Sequence, residues 1–259
     1  MPETLKQLMT SVKSITGSLA FLLGRKGKEM EKHAYGSWKT QLMLAGLGIV
    51  IGALVGCLDT IFGKVLLWVS DIRTEHIFYL VPVLPLVGVC IVWAYKKYGG
   101  RSGEGMGLIL SVSHREDEEV PRRLIPFVMI STWLTHLFGG SAGREGAALQ
   151  LGGSIGSNIG RLFKLDEKDM HMVVMCGMSA VFSALFGTPI TAAVFALGVT
   201  SVGIMYYSAL VPCLMSSLAA FLVTRFAGLE PTQFAITVIP QTGVITILQT
   251  ILISALCAE

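Results

Sequence analysis

Residues 139–163 read GGSAGREGAALQLGGSIGSNIGRLF, and this stretch decides the fold prediction. It joins a glycine cluster, the charged pair Arg144-Glu145 and a run in which glycine returns at every fourth position. Glycine at that spacing gives a helix one smooth face, against which a second membrane helix can pack closely. Charges at membrane depth are costly and mark functional sites, so the pair at the entrance of this helix is a candidate site.

The composition of the 259-residue chain is typical of an integral membrane protein. Apolar residues make up 53% of the sequence and charged residues only 14%, whereas a soluble domain carries about 25% charged residues. The net charge of +3 is too small to indicate a nucleic-acid partner. The five cysteines stand singly in apolar segments, so we expect no disulfide framework, no metal site and no cofactor.

The distribution of basic residues predicts the orientation in the membrane. Residues 1–40 hold seven Lys and Arg against three acids, and a second charged segment runs through residues 96–123. Lys and Arg accumulate in cytoplasmic loops. We therefore expect a multi-pass protein of the cell membrane with its N-terminus in the cytoplasm, and an outer loop at 70–76.

Three parts are predicted along the chain. Residues 1–37 form a cytoplasmic N-terminal lead, residues 38–224 form the transmembrane part, and residues 225–259 form a linker and the truncated start of a next helix. The expected helices lie at 38–69, 77–95, 106–113, 124–138, 145–163, 170–186, 189–199, 203–223 and from about 242 onward. In the first of them, Gly48, Gly52 and Gly56 form another glycine series at fourfold spacing, which predicts a close contact with a second helix. Asp59 and Lys64 interrupt its apolar run towards the outer end.

Several of these helices are too short to cross a bilayer and are entered through glycine or proline. Gly187-Thr188-Pro189, for example, divides one long apolar run, because proline ends or kinks a helix. Irregular backbone in a membrane is tolerated only where protein or water surrounds it, and an exposed helix N-terminus attracts an anion. The pattern predicts an all-α membrane protein with broken helices around an anion site.

Glu145 has two interpretations. Ionised, it can occupy the positive helix end that an anion would use, and protonated, it is neutral and can leave, so that proton binding becomes coupled to anion movement. The alternative is a glutamate that caps the helix and pairs with Arg144 at the membrane interface.

Three segments, in this order, resemble the CLC family of chloride channels and proton-coupled anion antiporters. Gly143-Arg144-Glu145-Gly146 resembles the gating-glutamate motif, Gly105-Met106-Gly107-Leu108 resembles the first anion-site loop, and residues 187–197 resemble the helix-breaking proline segment. The resemblance covers residues ~40–225. It implies the first inverted half of the CLC-type fold, with re-entrant helices, and a homodimer with one anion pathway in each subunit.

The resemblance also implies a role for nine residues. They are Glu145 as the gate and proton acceptor; Gly105, Met106, Gly107, Gly146 and Ala147 at the anion; and Gly143, Arg144 and Pro189 as support for the loops.

Departures from the common family pattern favour fluoride. Met106 stands where the family often has a serine that donates to chloride, and Ala147 stands where proline is common. Both are similar to the fluoride/proton antiporter branch. We therefore expect proton-coupled halide transport with fluoride favoured, and a chloride channel or chloride/proton antiporter as the alternative. The sequence has Gly198-Val199-Thr200 where antiporters often carry an inner proton-transfer glutamate, which fits the fluoride branch or a channel.

The resemblance covers one half of the family's fold, so we expect a truncated or half-length chain that needs its second half or a complementary subunit. A non-transporting half-subunit is the second alternative. Residues 139–143 also match the nucleophile elbow of serine hydrolases, but that motif needs a strand–turn–helix context that an apolar membrane helix does not provide. We expect no enzyme.

Overall fold

The computed structural model describes residues 38–114, 120–200, 206–231 and 243–257. Ten α-helices lie within these ranges. In chain order they are α1 Trp38–Glu75, α2 Ile77–Leu80, α3 Leu84–Ala94, α4 Met106–His114, α5 Leu124–Leu137, α6 Arg144–Leu162, α7 Glu167–Phe186, α8 Pro189–Val199, α9 Leu210–Phe226 and α10 Val244–Cys257. No β-strand occurs in the described ranges, and the predicted all-α class is confirmed.

Full and partial membrane helices occur together in the chain, as predicted. Four helical stretches are long and apolar enough to cross a membrane, namely Thr40–Glu75, Ile77–Glu104, Glu167–Phe186 and Tyr207–Phe226. Three shorter apolar helices, α5, α8 and α10, have 11 to 14 residues, fewer than the ~20 that a span needs. The chain is therefore a multi-pass membrane protein with partial helices between its spans.

Close packing between α1 and α9 follows from the glycine series Gly48, Gly52 and Gly56 of α1. A Cβ atom added to any of these glycines would collide with, or press against, the backbone of α9. The pairs are Gly48 with Pro212, Gly52 with Ser216, and Gly56 with Ala220. Residue numbers rise together along both helices, so α1 and α9 run in the same direction.

The second glycine series joins α6 to α7. Its pairs are Gly152 with Gly177, Gly156 with Val173, and Gly160 with Met170. Numbers fall along α7 as they rise along α6, so these helices are antiparallel. Both glycine faces predicted from the sequence are helix contacts, as expected for small residues at fourfold spacing.

Helix α7 lies at the centre of the packing and contacts α1, α6, α8 and α9. Three serine hydroxyls link it to α9 by hydrogen bonds to backbone carbonyls. These bonds are Ser179 Oγ to Cys213 O at 3.0 Å, Ser183 Oγ to Ser217 O at 2.8 Å, and Ser216 Oγ to Cys176 O at 3.0 Å. The hydroxyls satisfy their hydrogen-bonding capacity inside an apolar interface, where an unpaired polar group would be costly.

The break between α7 and α8 occurs where glycine and proline predict it. Gly187 has a φ of +69°, a conformation that glycine adopts without strain, and Pro189 is the first residue of α8. Helix α8 then folds back on α7, since the rings of Phe182 and Phe195 stack with centroids 4.2 Å apart.

The prediction of a loop at 70–76 is wrong, because α1 continues through Glu75 and only His76 separates it from α2. No glycine or proline interrupts this stretch. Thr74 Oγ1 donates to the Ser70 carbonyl at 2.9 Å, and Arg73 lies in the last turn, where a cation favours the helix dipole. The charged residues of this stretch led to a wrong prediction of where the helix ends.

The predicted helix 203–223 lies further along the chain. A 3₁₀ turn at Tyr207–Ala209 leads into α9, which ends at Phe226. It ends there because Gly228 adopts a φ of +71° and Leu229 N donates to the Thr224 carbonyl at 3.1 Å, a glycine-terminated cap. The lead 1–37 and most of the expected linker lie outside the described residues.

Candidate functional site

Glu145 lies in the first turn of α6 and its side chain is exposed. Gly143, in extended backbone with φ −68° and ψ 139°, is the N-cap residue of this helix, and Arg144 is the first helical residue. The Glu145 carboxylate folds back over the cap, because a Cβ on Gly143 would lie 2.9 Å from Oε2. The acid therefore occupies the end of the helix where the macrodipole is positive.

The predicted anion-site loop lies beside the same helix. Gly105 has a φ of +63°, and a Cβ there would lie 3.7 Å from Gln150 Nε2. One turn later, Ile109 of α4 contacts the position of Gly153 on α6. Numbers rise together in both contacts, so α4 and α6 run in the same direction and present their N-termini towards the same side.

The two helix starts are offset along this direction. Gly105 is level with Gln150, six residues after the first residue of α6. At 1.5 Å per residue the offset is about 9 Å. Two positive helix ends thus follow one another along the first turns of α6, an arrangement that can hold an anion at more than one depth.

The remaining predicted site residues differ in their exposure and in their distance from the starts of α4 and α6. Gly107 and Gly146 are exposed, and a methyl group added to either would meet open space. Met106 and Ala147 are half-buried and pack against the hydrophobic core. Pro189 lies elsewhere, at the start of α8, which packs chiefly against α7 and α9.

An ion pair flanks the anion-site loop. Arg101 holds Glu104 through two hydrogen bonds, from Nε at 2.8 Å and from Nη2 at 3.0 Å, and both side chains are about half exposed. Glu104 directly precedes Gly105. The pair neutralises the acid beside the loop, which otherwise would repel an anion. No cluster of three metal-ligating side chains occurs within the described ranges.

The sequence predicted Asp59 only as an interruption of the first apolar run, but the structure buries it. Its side chain is 1% exposed, and neither carboxylate oxygen has a hydrogen-bond partner among the described residues. The signal was its spacing, since Asp59 continues the buried stripe formed by Ile51 and Val55. An acid on the buried face of a membrane helix is a site candidate in its own right.

Known proteins are similar in sequence to this chain. A family model described as voltage gated chloride channel matches residues 87–258. A chloride/fluoride channel protein of Pseudomonas syringae pv. tomato is 36% identical over 195 residues, which cover 75% of this chain and 42% of that protein. The H(+)/Cl(-) exchange transporter ClcA of Salmonella schwarzengrund is 27% identical over 175 residues, 61% of this chain and 36% of the relative.

Solved structures share the fold. The crystal structure of a CLC-type fluoride/proton antiporter superposes with a TM-score of 0.77 at 40% sequence identity, covering 86% of this chain and 56% of the other. A slow cyanobacterial Cl−/H+ antiporter has a TM-score of 0.60 at 19% identity, covering 82% of this chain and 52% of the other, and shows the fold alone. The predicted CLC-type fold is confirmed.

The chain spans about half the length of these relatives, from 36% to 56%. The family match nevertheless includes both helix starts that form the candidate site and extends over more than half of the chain. The chain therefore belongs to the voltage-gated chloride channel family.

Proposed function

We propose that this chain is part of a halide transporter that couples anion movement to protons, with fluoride as the favoured anion. The observation that supports this most is the position of Glu145. Its carboxylate lies over the cap of α6, at the positive end of the helix. The start of α4 follows at a second depth along the same helix.

The proposed coupling is a competition for one positive site. An ionised Glu145 and a halide carry the same charge, so both cannot occupy the α6 end at low cost. Protonation removes the negative charge of Glu145 and releases the site to the anion. The amide of Gly146, which has no partner within the first helical turn, and the neighbouring amide of Ala147 then face the halide.

Fluoride is favoured by the residues at the two helix starts. Met106 offers the anion no hydroxyl donor, and Ala147 keeps an amide hydrogen that proline would lack. The relatives that share 36% and 40% identity carry the names chloride/fluoride channel protein and fluoride/proton antiporter. Chloride transport is the alternative, supported by the 27% identical H(+)/Cl(-) exchange transporter.

We further propose a homodimer in the cell membrane, with a cytoplasmic N-terminus and with a second half or complementary subunit completing each pathway. Only 6% of the most apolar part of Ile77–Glu104 is buried inside the structure. Every described side chain of α10 is exposed or half-buried. Apolar faces of this size need lipid or protein to cover them. Coverage of about half of the related structure supports a protein partner for part of this surface.

Proton uptake driven by fluoride tests this function. The protein as its gene encodes it is reconstituted in liposomes loaded with fluoride, and external proton uptake is followed as fluoride leaves. We expect uptake from the native protein and none from Glu145→Gln. Glu167→Gln is the matched control, because Glu167 is also an exposed acid in a first helical turn.

Each outcome distinguishes the candidates. Uptake that persists in Glu145→Gln contradicts the gating role. Chloride efflux without fluoride efflux favours the alternative anion. Flux that appears only after a second half is co-expressed identifies the chain as a non-transporting half-subunit.

A further inference from the structure

The apolar stretch through α2 and α3 has the length of a membrane crossing. Residues 77–95 carry no charged side chain. At ~1.5 Å per residue they extend about 28 Å, close to the ~30 Å of a bilayer's hydrocarbon core. The next two residues, Lys96 and Lys97, are exposed. These two lysines therefore lie at the depth of the lipid headgroups.

One side of α3 is apolar, is not covered by other helices, and leads to a lysine. Leu86, Val89 and Trp93 are 66%, 69% and 56% exposed. Their spacing of three and four residues places them on one side of the helix, and Lys97 follows one turn after Trp93. This surface, the α3 face, thus combines apolar side chains at membrane depth with a cation at the headgroups.

Two aromatic rings hold the cation of the α3 face in place. Lys97 Nζ lies 4.8 Å from the centroid of the Trp93 ring and 5.3 Å from that of Tyr98. The two rings meet edge to face with centroids 6.0 Å apart. Tryptophan and tyrosine are typical of the membrane interface. Because a ring face engages one side of an ammonium group, its other N–H donors remain available to a phosphate.

The turn that carries Lys97 is fixed against α5. The ring of Tyr95 packs on that of Phe127 with centroids 5.1 Å apart, and its hydroxyl lies 3.2 Å from Ser131 Oγ. These contacts set the end of α3 in one position before any ligand binds. A surface that is already ordered binds at a lower entropic cost.

We propose that the α3 face binds an anionic phospholipid, a partner that lies beyond the proposed halide transport and does not depend on it. Lys97 Nζ donates to the headgroup phosphate, and an acyl chain lies along the apolar side chains below it. A zwitterionic lipid gains less here, because its own cation offsets the attraction of Lys96 and Lys97. Glu104, the next acid in the described part of the chain, already pairs with Arg101.

Quenching of tryptophan fluorescence by brominated lipids tests the α3 face. The protein as its gene encodes it is reconstituted in bilayers with increasing fractions of brominated phosphatidylglycerol or brominated phosphatidylcholine. The signal of Trp93 is the difference between the native protein and Trp93→Phe. We expect brominated phosphatidylglycerol to bind at least fivefold more tightly, since each cation near the surface favours an anionic lipid about fivefold.

Substitutions of Lys97 test its role in this preference. Lys97→Gln should reduce the preference for phosphatidylglycerol about fivefold, with Lys97→Gln/Trp93→Phe as the reference that isolates the Trp93 signal. Lys97→Arg, measured against Lys97→Arg/Trp93→Phe, should retain the preference, because the cation is kept.

Trp68 provides a matched control in the same protein. It is 64% exposed on α1, and two exposed residues of opposite charge, Lys64 and Asp71, lie about one turn before and after it. Because these charges cancel, the Trp68 signal, isolated with Trp68→Phe, should show no preference between the two lipids.

Several results would overturn the proposal. Trp93 that neither lipid quenches is covered by protein and not by lipid. Equal affinity of the two lipids at Trp93 contradicts a site for an anionic headgroup, as does a preference that survives in Lys97→Gln. An equal preference at Trp68 would reflect the bilayer as a whole and not the α3 face. None of these results bears on the gating by Glu145, which proton coupling measures separately.

Discussion

The carboxylate of Glu145 lies over Gly143, so closely that a methyl group on Gly143 would be 2.9 Å from Oε2. Gly143 has φ −68° and ψ 139°, values that any residue adopts. Glycine at this position thus leaves room for the neighbouring carboxylate, and the backbone conformation does not require it. A substitution at Gly143 can therefore move the Glu145 carboxylate, the proposed gate, without changing its chemistry.

Gly143→Ala is expected to displace the Glu145 carboxylate from the end of α6. Anion efflux at alkaline pH, where an ionised Glu145 blocks the native site, should rise several-fold, because the carboxylate no longer fits over the cap. The measurement is fluoride efflux from liposomes as a function of pH. Gly46→Ala is the matched control, since a methyl group at Gly46 meets nothing within 4 Å. Unchanged efflux at alkaline pH would show that the carboxylate does not block the site from this position.

Gly177→Ala is expected to destabilise the protein by about 1–3 kcal/mol, the usual cost of overpacking. The added methyl group would collide with the backbone carbonyl of Gly152, so α6 and α7 would have to separate. Thermal unfolding in detergent measures the loss. Gly198→Ala provides the comparison, because Gly198 is exposed and has open space around it. Equal stability of the two variants would contradict the close α6–α7 contact.

Ser183→Ala is expected to have a much smaller effect, about 0.6 kcal/mol, the average for a hydrogen bond between membrane helices. The substitution removes the bond from Ser183 Oγ to the Ser217 carbonyl at 2.8 Å. The same unfolding measurement applies, with Ser70→Ala in the C-terminal part of α1 as control. A loss as large as that of Gly177→Ala would contradict the small contribution expected of this hydrogen bond.

Met106→Ser is expected to raise chloride transport relative to fluoride several-fold, because the new hydroxyl at the start of α4 can donate to chloride. Paired efflux assays with chloride and fluoride measure the ratio. Met43→Ser, at an exposed position of α1, controls for the loss of a methionine. An unchanged ratio would count against the fluoride assignment.

The glycine series made the helix packing predictable. Gly48, Gly52 and Gly56 indicated a close contact before any partner was known, and α9 supplies it. The break at Pro189 was predictable for a similar reason, since proline and the left-handed Gly187 leave the chain few alternatives. Local rules suffice where one residue type limits the backbone.

The spacing of Asp59 signals a buried position, but its neighbours could not be predicted from local rules, because the helices that pack near it follow by more than sixty residues. Trp133 of α5, for example, donates to the Phe62 carbonyl about one turn after Asp59. The end of α1 was missed for the opposite reason. Charged residues at 71–75 suggested a loop, whereas a helix tolerates them when nothing breaks its hydrogen bonds.

Proton uptake on fluoride binding tests the competition at Glu145 most directly. Fluoride is added to the purified protein in weakly buffered solution near neutral pH, and the protons taken up are counted with an electrode. The native protein and Glu167→Gln should take up protons as fluoride displaces the Glu145 carboxylate, and Glu145→Gln should bind fluoride without uptake. Equal uptake by Glu145→Gln and the native protein would contradict the account.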